Sequence, residues 1–102
     1  MKIIWTEPAV DDLESIKNYI ARDSEVYALQ FIQKIINCIE KVCSFPKIGR
    51  EVPEANNKNI REVIFSNYRI IYRIKRESIL ILAIIHGARD VNIIDIKPWE
   101  II

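Results

Sequence analysis

Two rhythms of apolar and polar residues run along this chain. In the first part Val10, Leu13, Ile16 and Ile20 recur every three to four positions, and only Lys17 interrupts the stripe. That spacing places them on one face of a helix over residues 7–22. Thr6 offers an N-cap, Pro8 falls in the first turn, where its missing N–H costs nothing, and Asp11, Asp12 and Glu14 lie early, where the helix dipole favours anions. Asp23-Ser24 breaks the pattern and offers a second cap. Ala28, Phe31, Ile32, Ile35, Ile36, Ile39 and Val42 then form a second stripe, predicting a helix over residues 25–43. A link this short makes the two an antiparallel hairpin, whose apolar faces need a surface to cover.

After Phe45-Pro46 the rhythm changes. Residues 46–54 read as a loop punctuated by Gly49 and Pro53, and Asn56 to Asn59 continues it. Ile60 to Phe65 has strand character, and Ser66-Asn67 is a tight link into Tyr68. From Tyr68 to Lys75 the alternation is of period two. Tyr68, Ile70, Tyr72 and Ile74 share one face, and Arg69, Arg73 and Lys75 fall on the other. Arg76-Glu77 joins this run to Ile79–Ile85, which is apolar at every position, as in a strand covered on both faces. With Lys2–Trp5 as a first strand, the order is β-α-α-β-β-β. This predicts a single α+β domain over residues 1–102, with an antiparallel helical hairpin packed on an antiparallel sheet. Val91 to Ile96 reads as either a further strand or a tail. The sheet face away from the helices is expected to present Arg69 and Arg73 to a partner or substrate.

Charge sharpens that expectation. The net charge is only +1, but it is unevenly spread: residues 1–26 carry three basic and six acidic side chains (3 − 6 = −3), and residues 47–76 carry eight and three (8 − 3 = +5). The positive charge therefore belongs to the sheet half. Cys38 and Cys43 are the only thiols, too few for a disulfide framework, and are expected to be buried and inert. No apolar run approaches the ~20 residues of a membrane helix, and Met1-Lys2-Ile3-Ile4-Trp5 passes at once into polar sequence. A cytoplasmic protein without a membrane partner is the expectation.

In element order, length and several local patterns the chain resembles the RelE/ParE superfamily of toxins from bacterial type II toxin–antitoxin modules. The patterns are Ala9-Val10-Asp11-Asp12-Leu13-Glu14-Ser15-Ile16 with Tyr19-Ile20, Pro46-Lys47-Ile48-Gly49-Arg50, Tyr68-Arg69-Ile70-Ile71-Tyr72, and Ile85-His86-Gly87-Ala88-Arg89-Asp90. The resemblance implies a cognate antitoxin as partner and one of two targets. ParE-like members poison DNA gyrase; RelE-like members cut messenger RNA on the ribosome. The hairpin, the glycine-arginine loop and the His-Gly-Ala-Arg-Asp ending favour the ParE-like side. A non-toxic binding module of the same fold is a third reading. None of these calls for a metal or other cofactor.

Metal-independent RNA cleavage needs a base for the attacking 2′-hydroxyl, an acid for the leaving oxygen and cations for the charged intermediate. Arg69 and Arg89 resemble the phosphate-binding arginines of RelE-like enzymes, and His86 has the pKa range for proton transfer. Arg69, His86 and Arg89 are thus the candidate catalytic set. Arg50, Arg61, Arg69 and Arg73 are the candidate contacts to nucleic acid or a protein target. Two departures count against catalysis. Arg61 is followed by Glu62-Val63 where RelE has a second basic residue spaced by one, and no tyrosine follows Arg89. Glu51 and Glu54 are the loop carboxylates available as a base. Gly87 is expected to supply a backbone angle that other residues avoid.

Overall fold

The structure, a computed structural model, describes residues 1–87 and 97–100. Strand β1 (Lys2–Trp5) leads into helices α1 (Glu7–Ala21) and α2 (Glu25–Ser44). A two-residue strand β2 (Arg50–Glu51) follows, then β3 (Ile60–Phe65), β4 (Tyr68–Ile74) and β5 (Ser78–His86). The expected elements form within a residue or so of their predicted bounds. The α+β architecture is as expected, and β3-β4-β5 is an antiparallel meander. Two details refine it. β1 joins the edge beside β5 in parallel, giving a mixed sheet of order β1-β5-β4-β3-β2, and Arg50–Glu51, expected as loop, extends the other edge.

Local chemistry sets the helix ends. The Thr6 hydroxyl accepts from the Ala9 N–H (3.4 Å) and donates to the Ile81 carbonyl (2.7 Å), so one side chain caps α1 and ties it to β5. The Ser24 Oγ caps α2 by accepting from the Tyr27 N–H at 3.1 Å. The Ser66-Asn67 link requires a left-handed residue, and Ser66 adopts φ 54°.

The sheet is buried on both faces. On the helix side Ala9, Ile16, Phe31, Ile35, Ile39 and Val42 pack on Ile70, Tyr72, Ile79, Ile81 and Ile84. On the far side Ile60, Ile71, Leu80, Leu82, Ala83 and Ile85 form a second cluster with Val52, joined by Ala55 and Trp99. This explains why β5 is apolar throughout. It also carries one extra residue: Ile71 faces Ala83 and Tyr72 faces Ile81, so Leu82 is bulged. Thr6 bonds at Ile81, and Asp12 accepts from the Ile84 N–H at 2.9 Å, so α1 grips the bulge from both sides.

The far face is therefore not the open basic surface expected from the alternation in β4. The chain after β2 crosses it and, with the turn at Pro98–Glu100, seals it. Trp99 is thus a packing residue.

A buried arginine–glutamate network as candidate functional site

Strand alternation assigns Ile60, Glu62 and Ile64 of β3 and Arg69, Ile71 and Arg73 of β4 to the far face. Glu62 is 1% exposed and Arg69 7%. Charged groups at such depth must be paired. Glu62 accepts from Arg69 through Nε and Nη2, both at 2.6 Å from Oε1, while its Oε2 lies 2.6 Å from both Nε and Nη2 of Arg50. Arg69 turns its remaining edge to Glu54, with Nη1 and Nη2 each 3.1 Å from a carboxylate oxygen. Two positive and two negative groups cancel (2 − 2 = 0). Hydrogen bonding from Arg69 holds the Glu54 carboxyl below its usual range, against some desolvation. Burial works against the Arg69 charge, but the hydrogen bonds and charges of Glu54 and Glu62 outweigh it and raise its pKa.

A second knot lies beside the first. Tyr72 Oη donates to the Pro46 carbonyl at 2.6 Å and accepts from the Gly49 N–H at 3.0 Å. Burial pushes its phenol pKa up. A Cβ on Gly49 would sit 2.5 Å from Tyr72 Oη and 2.6 Å from the Glu62 carbonyl oxygen, so glycine is required there by close approach and not by its backbone angle. The same holds for the expectation at Gly87, which is corrected: its φ is not positive, and a Cβ would meet the Asn67 carbonyl at 3.3 Å. That carbonyl accepts from the Gly87 N–H at 2.7 Å.

The sequence-predicted residues divide between the two faces. Arg50, Arg69 and Arg73 share the far face, and Glu62 joins the first two. Arg73 reaches the Trp99 carbonyl at 3.4 Å, and its buried Nε has no partner among the described residues. Arg61 points to the helix side, donating to the carbonyls of Lys58 (3.0 Å) and Gly49 (2.9 Å). His86 is exposed on that side too, edge-on to Tyr68 at 5.8 Å, and Tyr68 in turn meets Phe31 at 6.0 Å. His86 pairs with Tyr68 and Arg61 with Tyr72, four residues along β4, or ~13 Å apart. Arg69 and His86 thus lie on opposite faces of the sheet. Arg89, Asp90 and the Val91–Ile96 segment lie outside the described residues. Cys38 and Cys43 are half-buried rather than buried; burial raises the Cys38 thiol pKa, and Cys43 Sγ donates to the Met1 carbonyl at 2.9 Å.

Sequence reasoning missed Glu62 as the organising group. A signal was present: it is a lone charge at a far-face position between Ile60 and Ile64. Glu54, considered as a base, instead holds both terminal nitrogens of Arg69.

Comparison with known proteins bears on what this scaffold is for. The sequence matches, over residues 3–91, the family described as ParE toxin of type II toxin-antitoxin system, parDE. Among solved structures it resembles one titled "Chromosomal ParDE TA system from P. aeruginosa". The two share 24% identity at a TM-score of 0.70, covering 84% of this chain and 95% of the other. That likeness is one of fold. No curated protein matches significantly.

Proposed function

The chain belongs to the ParE toxin family of type II toxin–antitoxin systems, and from that premise we propose that it arrests growth when free of a cognate antitoxin, by poisoning DNA gyrase and without cleaving RNA. The observation that carries the choice of target is the closed Arg69 site. A phosphate reaching Arg69 would compete with Glu54 and Glu62, which already hold its Nε, Nη1 and Nη2, and would leave a buried carboxylate short of its cation. The acid–base group nearest in register, His86, stands on the other face. A nuclease needs cations and a proton carrier around one phosphodiester; Arg69 lies on the face opposite His86, and Arg61, on the His86 side, is four β4 positions or ~13 Å away. The toxin acts in the cytoplasm, where gyrase and antitoxin are found; no described helix is long and apolar enough to cross a membrane.

The test is expression from a tightly controlled promoter, with purified protein added to gyrase, supercoiled DNA and ATP. Growth arrest that the antitoxin relieves, together with accumulation of gyrase-linked linear DNA, is the expected result. Arrest with unaltered gyrase products would overturn the target. No arrest at all would favour the binding-module reading.

A further inference from the structure

We infer that the end of the sheet where β1 and β3 begin and β4 ends docks an acidic surface of the target protein, with an apolar side chain of that protein seated in a groove beside Phe45 and Ile48. This rests on the gyrase reading above and adds where, and by what chemistry, the target is held.

The buried network decides where the positive charge is left. Residues 47–76 carry eight basic and three acidic side chains. Glu54 and Glu62 cancel Arg50 and Arg69, which leaves six against one (6 − 1 = +5). Of the six, Arg61 and Arg73 bond backbone carbonyls. The other four, Lys47, Lys58, Lys75 and Arg76, are exposed, and none forms an ion pair among the described residues. Register gathers them. The Ile74 N–H donates to the Asn59 carbonyl at 2.8 Å, which brings Lys58 and Lys75 to one end, and the Lys2 N–H donates to the Glu77 carbonyl at 3.0 Å, which adds Lys2. Against these cations the 75–77 turn sets a single acid, Glu77.

Lys47 lies on the rim of an apolar groove of about 480 Å³, whose walls include Met1, Phe45, Pro46, Ile48 and Ile74. Phe45 is 64% exposed, Met1 55% and Ile48 53%. Single exposed apolar residues are ordinary, but three around one groove mark an interaction surface. The fold holds them there. Tyr72 Oη bonds to Pro46 and Gly49, on either side of the turn Pro46–Ile48, and the Ile48 N–H donates to the Phe45 carbonyl at 2.9 Å. A surface fixed in this way loses little freedom on binding.

The two features together select the partner. Carboxylates match the cations, and an apolar knob matches the groove. Nucleic acid offers phosphates to the lysines but no apolar side chain for the groove. While gyrase holds DNA its basic surfaces are covered, so a protein joining that complex meets the acidic ones.

The experiment measures binding of the full chain to purified gyrase with DNA, to the DNA alone, and to the antitoxin encoded by the adjacent reading frame. Joint Lys47→Glu and Lys75→Glu lowers affinity for gyrase by about tenfold or more and flattens its salt dependence. Joint Phe45→Ser and Ile48→Ser lowers it by about the same factor at every salt concentration. Both leave antitoxin affinity unchanged. Joint Lys17→Glu and Lys34→Glu, an equal charge change on the helices, leaves gyrase affinity unchanged. Full gyrase affinity in both surface variants would overturn the proposal and leave the gyrase reading intact. So would an equal loss of affinity for the antitoxin, or wild-type binding to DNA alone that the Lys47 and Lys75 reversal abolishes. A wild-type chain that binds no gyrase would overturn both. Lys47 and Lys75 are exposed and unpaired, so their variant decides even if the Phe45 and Ile48 variant does not fold.

Discussion

Replacing Glu62 by alanine is predicted to be among the most damaging single changes on the far face of the sheet. The carboxylate is 1% exposed and receives four contacts of 2.6 Å, two from Arg50 and two from Arg69. Without it, Arg50 returns to water at little cost, since its side chain is already 65% exposed. Arg69 cannot follow. It keeps Glu54 but loses the acceptor for Nε in a site where it is 7% exposed. Removing one partner from such a pair costs about 3–5 kcal/mol. For a domain of this size that lowers Tm by roughly 12–25 °C. Urea and thermal unfolding followed by circular dichroism measure it. The comparison variant Arg50→Ala removes a largely solvated partner and should cost no more than about 1 kcal/mol. Joint Glu62→Leu and Arg69→Met substitutes apolar volume for the charges, and should recover stability relative to Glu62→Ala alone. A Glu62→Ala protein within about 1 kcal/mol of wild type would refute the idea that this network organises the face.

Three further outcomes follow from the same geometry. Gly49→Ala places a methyl against the Glu62 carbonyl and Tyr72 Oη, and should cost about 1–3 kcal/mol in the same unfolding assay as the loop shifts to make room. Tyr72→Phe strands the Gly49 N–H and loses the Pro46 contact, also costing about 1–3 kcal/mol, with little change in denaturant slope. The lowered pKa of Glu54 means the unfolded chain binds its proton more readily than the folded one. The resulting stability is fully present above the ordinary carboxyl value of 4.5 and is lost as pH falls through the lower folded value. Glu54→Gln should therefore flatten the acid limb of a stability-against-pH curve below 4.5, and an unchanged limb would show that the pair does not persist in solution.

The apolar periodicity made the helices legible, because Ala28, Phe31, Ile35, Ile39 and Val42 are an uninterrupted stripe facing a single surface. β5 was legible for the same reason, since a run without polar residues has to be covered twice. The far face was misread because alternation in β4 reports which residues share a face and says nothing about what lies over it. Arg69 looked solvated in the sequence; the cover comes from Val52 to Ala55, a segment whose proline and acidic composition reads as loop. Neither glutamate stands near Arg69 in sequence, since pairing across β3 and a folded-back turn bring them there. The separation of Arg69 from His86 depends on the period-two rule combined with register, and the bulge at Leu82 shifts that register by one residue. The parallel placement of β1 has no local signal at all.

The claim that the toxin arrests growth without cleaving RNA is tested most directly by mapping RNA ends across the transcriptome after brief expression of the wild-type chain and of His86→Ala. Intact messenger RNA in both, with growth arrest of equal depth, is the predicted result. New 5′ ends within translated codons that appear with the wild type and vanish with His86→Ala would contradict it, and would make His86 part of a ribonuclease site.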